Sequence, residues 1–282
     1  MSNSIYSTGA SVLLNNLQES SNNYTEALKR VSTGKRILKA ADDPSGSAIA
    51  YGIEAEVRSS QAAQRNIMEG MSITNITESA LNELSNVGIR MKELAIQAAN
   101  DAISDRTREY LMTEMDELRG HAAAIVETTS YLGNPLLNGE GKNLEVQVSS
   151  KVVEGSTYVH PVDSVDTRDG LTKIFDAYID DSENAADAVI SIDEFVKSIN
   201  EERAKVGGIA FRYKSIFEAE RVHEENEMER LNRYRDADMI KESFRATSEL
   251  LRQKITIAIL AQANSQQENV LKLLDSSFYQ NK

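Results

Sequence analysis

The sequence predicts a mainly α protein of long antiparallel helices in a coiled-coil-like bundle, with a small β-hairpin region. Three observations predict it. Proline stands only at 44, 135 and 161, which leaves 90 proline-free residues from Ser45 to Asn134 and 121 from Val162 onward. Proline inside a helix costs about 3 kcal/mol, so these two stretches are where long helices are permitted. Apolar residues recur at steps of three and four through both stretches, as one face of a helix requires. Period-two alternation is confined to the centre, at Leu144-Glu145-Val146-Gln147-Val148, where it indicates a strand.

Each element follows in chain order. An N-terminal helix carries the stripe Leu14, Leu17, Tyr24, Leu28 and Val31 on a remainder rich in Asn, Ser and Gln. Asp42 or Asp43 caps a second helix, and Pro44 suits its first position. Its seam begins weakly at Ile53, Val57 and Ile67. It then runs through Ile73, Ile76, Ala80, Leu84, Val87, Met91, Leu94 and Ala98. A helix from Pro44 to near Asn100 would be about 85 Å long at 1.5 Å per residue. Gly52, Gly70 and Gly88 fall on one face of it, either as a line of close helix approach or, for Gly52 and Gly88, by chance.

Asn100-Asp101 and Ser104-Asp105 read as a break and a new N-cap. Leu111, Met115, Leu118, Ala122 and Ile125 then form a third helix folding back on the second, because short connections make antiparallel neighbours. It is expected to end near Tyr131-Leu132-Gly133-Asn134-Pro135, with Gly and Asn followed by Pro read as its stop. The strand at 144–148, with Val152-Val153 and Thr157-Tyr158-Val159, is expected to build a hairpin. From Asn138 to Ile190 there are 11 acids against 4 bases, which marks a solvated face.

The last third is helical again. Ile192, Val196, Ile199, Val206, Ala210, Tyr213 and Phe217 make a seam broken at Arg203, and Gly207-Gly208 is expected to kink it. Glu218–Asp238 is dense in charge and reads as an exposed, ion-paired helix. Ile240, Phe244, Leu250, Leu251, Ile257, Ile259 and Leu260 lead to Val270-Leu271 and Leu273-Leu274. Each end of the chain thus carries an amphipathic helix without a local partner. The two ends are expected to pair and to bury the rest of their stripes in copies of the same chain.

Composition excludes several functions. With no cysteine there is no disulfide, thiolate zinc site, iron–sulfur cluster or cysteine nucleophile. A net charge of -13 argues against nucleic-acid binding, which needs a basic face. No apolar run is long enough to span a membrane, and Met1–Leu17 lacks the layout of a cleavable secretory signal. His223-Glu224-Glu225-Asn226-Glu227 has the first half of a zincin helix, but Glu227 stands where the second His is needed. No cofactor or metal site and no enzymatic activity is expected.

Two groups of motifs carry a family resemblance. One is Ala27-Leu28-Lys29-Arg30-Val31-Ser32-Thr33-Gly34-Lys35-Arg36-Ile37 with Ala40-Ala41-Asp42-Asp43-Pro44-Ser45-Gly46. It continues in Arg65-Asn66, Glu69-Gly70-Met71-Ser72 and Lys92-Glu93-Leu94-Ala95-Ile96-Gln97-Ala98-Ala99-Asn100. The other is Arg235-Asp236-Ala237-Asp238, Ile259-Leu260-Ala261-Gln262-Ala263-Asn264 and Asn269-Val270-Leu271-Lys272-Leu273-Leu274. Over residues 12–138 and 186–274 the chain resembles bacterial flagellins, as a short form with a small central insert. Ser130-Tyr131-Leu132-Gly133-Asn134 stands in place of that family's Phe-Asn-Gly turn. Thr33-Gly34-Lys35-Arg36 is closer to the form carried by hook–filament junction proteins.

The resemblance implies three regions. Residues 1–40 with 240–282 would form a terminal coiled-coil inner domain, 41–137 with 187–239 a long-helix bundle, and 138–186 a short hairpin and loop insert. It implies a structural filament subunit for swimming motility, exported unfolded through the flagellar type III apparatus and located in the extracellular filament. The implied partners are further copies of the chain, an export chaperone, the filament cap and junction proteins. The assembly interface is expected at Leu14, Leu17, Tyr24, Leu28 and Val31, and at Leu250, Leu251, Ile257, Leu260, Val270, Leu271 and Leu274. An ordinary intramolecular helix pair is the plainer alternative for those residues. The resemblance also implies a surface for the flagellin-sensing Toll-like receptor at Arg90, Leu94, Gln97 and Glu114, which are equally suited to solvent or subunit contact. The alternative functions are a hook–filament junction protein of the same architecture and a non-flagellar coiled-coil adaptor.

Overall fold

The computed structural model describes residues 2–150, 157–161 and 165–279, the side chains of 2–10, 267 and 270–279 excepted. The helices are α1 (Ser2–Thr33), α2 (Pro44–Ala98), α3 (Asp105–Thr128), α4 (Arg168–Phe175), α5 (Ser182–Arg235) and α6 (Met239–Tyr279). Two antiparallel strand pairs complete the described residues: β1 (Ser130–Tyr131) with β2 (Asn134–Pro135), and β3 (Leu144–Gln147) with β4 (Thr157–His160). The chain divides into two compact units, residues 1–54 with 228–282 and residues 55–227.

The first unit is built where the chain ends meet. Gly34 (φ 70°) closes α1, its N–H donating to the Arg30 carbonyl at 2.9 Å. A left-handed residue satisfies the last helical carbonyls at low steric cost when it is glycine. The chain then pairs with the α5–α6 connection. Arg36 N–H donates to the Arg235 carbonyl at 2.7 Å, and Ala237 N–H to the Gly34 carbonyl at 2.8 Å. Both expected aspartates cap backbone, in different places. Asp43 receives Gly46 N–H at the start of α2, while Asp42 receives Leu38 and Lys39 N–H in the preceding loop. Those two N–H donors hold the Asp42 carboxyl below its ordinary pKa. Asp238 caps α6 through Ile240 and Lys241 N–H.

The second unit is a three-helix bundle. The later α2 seam, the α3 seam and the early α5 seam form the main core, with Leu84, Met91, Met115, Ile192, Phe195 and Ile199 at its centre, while Ile67 with Tyr213 and Ile73 with Leu136 make two smaller clusters. Ile76 alone leaves the α2 seam, at 38% exposed. Ser104 caps α3 by accepting Thr107 N–H. Burying this seam is worth roughly 25 cal/mol per Å² of apolar surface, which is what holds helices of this length together. α5 runs antiparallel to α2, as the contacts Ser60–Glu220 and Gln61–Glu224 join the early part of α2 to the late part of α5, while Lys92 near the end of α2 pairs with Asp193 near the start of α5.

Several expectations are corrected here. The Gly-Asn-Pro signal does not stop α3. The helix ends at Thr128, and Leu132 (φ 50°) and Gly133 (φ 80°) instead make the two-residue turn between β1 and β2. Positive φ at both central residues matches the twist of a tight hairpin. Gly207-Gly208 does not interrupt α5, which runs as one helix through both. A glycine pair costs helix propensity, but packing of the flanking Val206 and Tyr213 holds the segment helical. The acidic central segment also holds α4, unforeseen as a helix because it has only eight residues. The buried Arg119 of α3 secures its end by donating to the Ile174 and Ala177 carbonyls. Val152-Val153 lie outside the described residues.

The glycine line is real at two of its three positions. A Cβ on Gly70 would lie 2.5 Å from the Tyr213 ring, and one on Gly88 would lie 2.7 Å from Val196. Gly52 faces open space. Tyr213 is fully buried and is where the β3–β4 hairpin docks. The Tyr158 ring meets it edge-on at 5.0 Å, the His160 ring stacks at 5.8 Å, and its hydroxyl lies 3.3 Å from His160 Nδ1. The Arg212 guanidinium covers Tyr158 at 4.4 Å. Asn66 donates to the Gln147 carbonyl and fixes the other strand.

This packing makes two predictions. Gly70→Ala should destabilise the chain by about 1–3 kcal/mol through overpacking, whereas Gly52→Ala should be neutral or stabilising by up to about 1 kcal/mol; urea unfolding of both variants checks this. Burial lowers the His160 pKa, so the docked hairpin binds fewer protons than the free one. Docking is then fully stable above the ordinary histidine pKa of about 6.5 and weakens below it, by at most about 1.4 kcal/mol per pH unit. Hydrogen-exchange protection factors at Glu145–Gln147, taken relative to the intrinsic exchange rate at each pH, should fall from pH 7 to 5, and His160→Phe should remove that dependence.

Candidate functional site

The expected assembly residues lie on α1 and α6, which pair antiparallel in the first unit. Heptad-like positions of α1 face α6: Leu13, Leu17, Ser20, Tyr24, Ala27 and Val31 are half-buried or buried. The face that α6 turns to α1 is largely polar. It comprises Glu242, Ala246, Glu249, Gln253, Thr256 and Leu260, at steps of 4, 3, 4, 3 and 4. Ser20 Oγ contacts the Glu249 carbonyl and its Oε2, both at 2.9 Å, and Arg30 Nη1 contacts Glu242 Oε1 at 3.4 Å.

Most large apolar side chains of α6 are exposed instead. Ile240 is 84% exposed, Phe244 77%, Leu251 55%, Ile255 59% and Ile259 47%. At 3.6 residues per turn this stripe lies roughly opposite the buried one. Residues that look like one hydrophobic segment in sequence are therefore sorted onto separate faces. Leu14, Leu28, Leu251 and Ile257 are exposed. Leu17, Tyr24, Val31, Leu250 and Leu260 are half-buried. The side chains of Val270, Leu271 and Leu274 lie outside the described residues. Of this stripe only Leu251 was among the expected assembly residues; Phe244, Ile255 and Ile259 were missed, although a helical projection of the segment would have found them.

The second candidate surface lies on α2 and α3. Arg90 Nε and Nη2 donate to Glu114 Oε1 at 2.9 and 2.7 Å, and Nη1 to Glu93 Oε2 at 3.0 Å. The Glu114 hydrogen bond, aided by Glu93, raises the pKa of the guanidinium. Gln97 is exposed one turn beyond Glu93. Leu94 does not join them. It sits in the core at 1% exposed and offers no side-chain surface to a partner. His223 has no metal-binding companions: among the described residues no group of three or more His, Asp or Glu could hold a metal ion. No described helix is long and apolar enough to cross a membrane.

The fold defines a class: an α-helical subunit whose two chain ends pair with each other and leave an apolar helix face unburied. The model of the bacterial flagellin N-terminal helical region matches residues 6–142, and that of the C-terminal helical region matches residues 189–274. The chain belongs to the bacterial flagellin family. It is 31% identical to a flagellin of Halalkalibacterium halodurans over 249 residues, covering 88% of this chain and 91% of the relative. It is 29% identical to the flagellar filament 30.7 kDa core protein of Treponema maltophilum, covering 88% and 90%. The crystal structure of Bacillus cereus flagellin is similar over 55% of this chain and 88% of its own, with a TM-score of 0.50 at 28% identity. A putative flagellar hook-associated protein of Vibrio parahaemolyticus shares the fold, with a TM-score of 0.56 at 15% identity over 69% of this chain and 99% of its own.

Because the outward stripe of α6 makes few contacts within the chain, polar substitution there should leave the soluble protein intact. Phe244→Ser and Ile255→Ser are each expected to change unfolding free energy by no more than about 0.5 kcal/mol, measured by urea titration.

Proposed function

We propose that this chain is a structural subunit of a bacterial flagellar filament serving swimming motility, without enzymatic activity. The observation that carries the reading is the outward apolar stripe of α6, Phe244, Leu251, Ile255 and Ile259, in a chain of the flagellin family. Exposed stripes of this size are unfavourable in water and favour burial against another chain. Contacts that repeat head-to-tail without closing produce a helical filament. Relatives named as filament core proteins support the same reading.

In this reading residues 1–40 and 240–282 form the inner layer, 41–137 with 187–239 the bundle around it, and 138–186 the solvent-facing insert. Leu14, Leu28 and Ile257 join the α6 stripe in subunit contacts, and Val270, Leu271 and Leu274 are assigned to subunit contacts on the sequence pattern alone. The chain would travel unfolded through the flagellar type III apparatus to an extracellular position, with an export chaperone, a filament cap and junction proteins as partners. Arg90, Gln97 and Glu114 remain the side chains available to a flagellin-sensing Toll-like receptor.

Removal of residues 1–38 or 240–282 tests the assembly role. Full-length protein should pellet on ultracentrifugation as filaments visible by electron microscopy, and either truncation should abolish them. Phe244→Ser combined with Ile255→Ser should reduce the pelleted fraction at least tenfold. Filaments from the truncated chain would overturn the reading.

A further inference from the structure

The α1–α6 pair buries polar groups where its apolar alternatives are at hand. Glu242 and Glu249 are each 7% exposed and Ser20 is 5% exposed. Glu242 Oε2 and Arg30 Nε are buried without a hydrogen-bond partner. Apolar burial alone would rotate α6 and bring Phe244, Leu251, Ile255 and Ile259 against α1. Something else selects the observed face.

We propose that Ser20, Arg30, Glu242 and Glu249 act as a register lock. They decide which face of α6 meets α1, and at what offset, and so reserve the Phe244–Ile259 stripe for a second copy of this chain. Slipping the pair by one heptad shows why. The position of Ser20 opposite Glu249 would pass to Leu13 or Ala27, seven residues away on the same face of α1. Neither side chain can donate a hydrogen bond, so the Glu249 carboxylate would be buried without its hydroxyl partner. Arg252 Nη1 still reaches Oε1 at 3.2 Å from the same helix, but Oε2 would lose its donor, and a buried carboxylate oxygen without a donor is costlier than a slightly imperfect apolar contact. The same slip would take Arg30 from Glu242 and bring Asn23 in its place or, in the other direction, carry Glu242 past the end of α1 at Thr33. Polar residues at buried coiled-coil positions specify register in this way, at a cost in stability.

The lock's assignment of the stripe to a second copy rests on the filament reading, so the experiment separates the two. Asn16 and Thr256 line one groove beside Ser20 and Glu249, and the chain has no native cysteine. Spin labels at Asn16→Cys and Thr256→Cys report the offset as a distance. Labelled chain is diluted into unlabelled full-length protein and measured in the pellet, or in solution where no pellet forms. Absence of a pellet from the unlabelled protein refutes the filament reading and leaves the distance readable. The parent and Glu249→Gln, which keeps the acceptor, should give one narrow distance. Ser20→Ala with Glu249→Leu should add a second population at longer distance, the result of a slip of about 10 Å along the helix axis, seven residues at 1.5 Å each. Ser20→Ala alone, which adds no bulk, should show the same displacement at smaller amplitude. A single unshifted distance in both Ser20→Ala variants would overturn the lock, as would a parent without one narrow distance.

Discussion

The backbone pairing of Gly34–Ile37 with Arg235–Ala237 is the contact on which the rest of the first unit depends. It joins segments that are 198 residues apart at Arg36 and Tyr234, where the guanidinium donates to the carbonyl at 2.9 Å. Four helix ends meet at this joint: α1 stops, α2 starts, α5 stops and α6 starts. Three of them are closed by a local device, Gly34 for α1, Asp43 for α2 and Asp238 for α6. Closing a loop of this length carries an entropic cost that grows only slowly with length, and burial along the antiparallel helices on either side offsets it. The motifs that mark the two ends of the chain are thus one structural feature read from both sides.

Polarity is distributed in opposite ways in the two units. In the second unit, apolar seams face inward and the helices close on a dry core around Met91, Met115 and Phe195. In the first, the inward face of α6 carries two buried glutamates and its outward face carries the isoleucines and Phe244. A unit arranged this way gains little from folding alone and much from association. The difference gives a physical basis for the proposed filament reading, in which the first unit is completed by neighbouring copies.

Close helix approach and hairpin docking share a residue. Tyr213 fits against α2 because Gly70 has no Cβ, and its ring and hydroxyl then receive Tyr158 and His160. The glycine on one helix therefore decides where the β3–β4 hairpin can sit. Arg119 has a comparable position at the end of α4, fixing two carbonyls of a loop that would otherwise hang from the bundle.

Much of the fold was legible in the sequence. The boundaries of α2 at Pro44 and of α3 at Ser104, the seams that became the core, and the Leu144 strand all follow from local periodicity and capping chemistry, which neighbouring residues decide among themselves. Four features were not legible: α4, the unbroken passage of α5 through Gly207-Gly208, the hairpin use of Leu132-Gly133, and the loss of Leu94 from the candidate receptor surface to the core. The hairpin is settled by the pairing of β1 with β2 on either side of it; the other three are settled by contacts with residues distant in sequence. The assembly site divides in the same way. The sequence by itself determined that both chain ends carry amphipathic helices and that the chain bears flagellin motifs. Only the tertiary structure decided which face of α6 turns inward. That choice depends on whether the buried Glu249 finds the Ser20 hydroxyl across the interface, and helical periodicity holds no information about the partner's side chains.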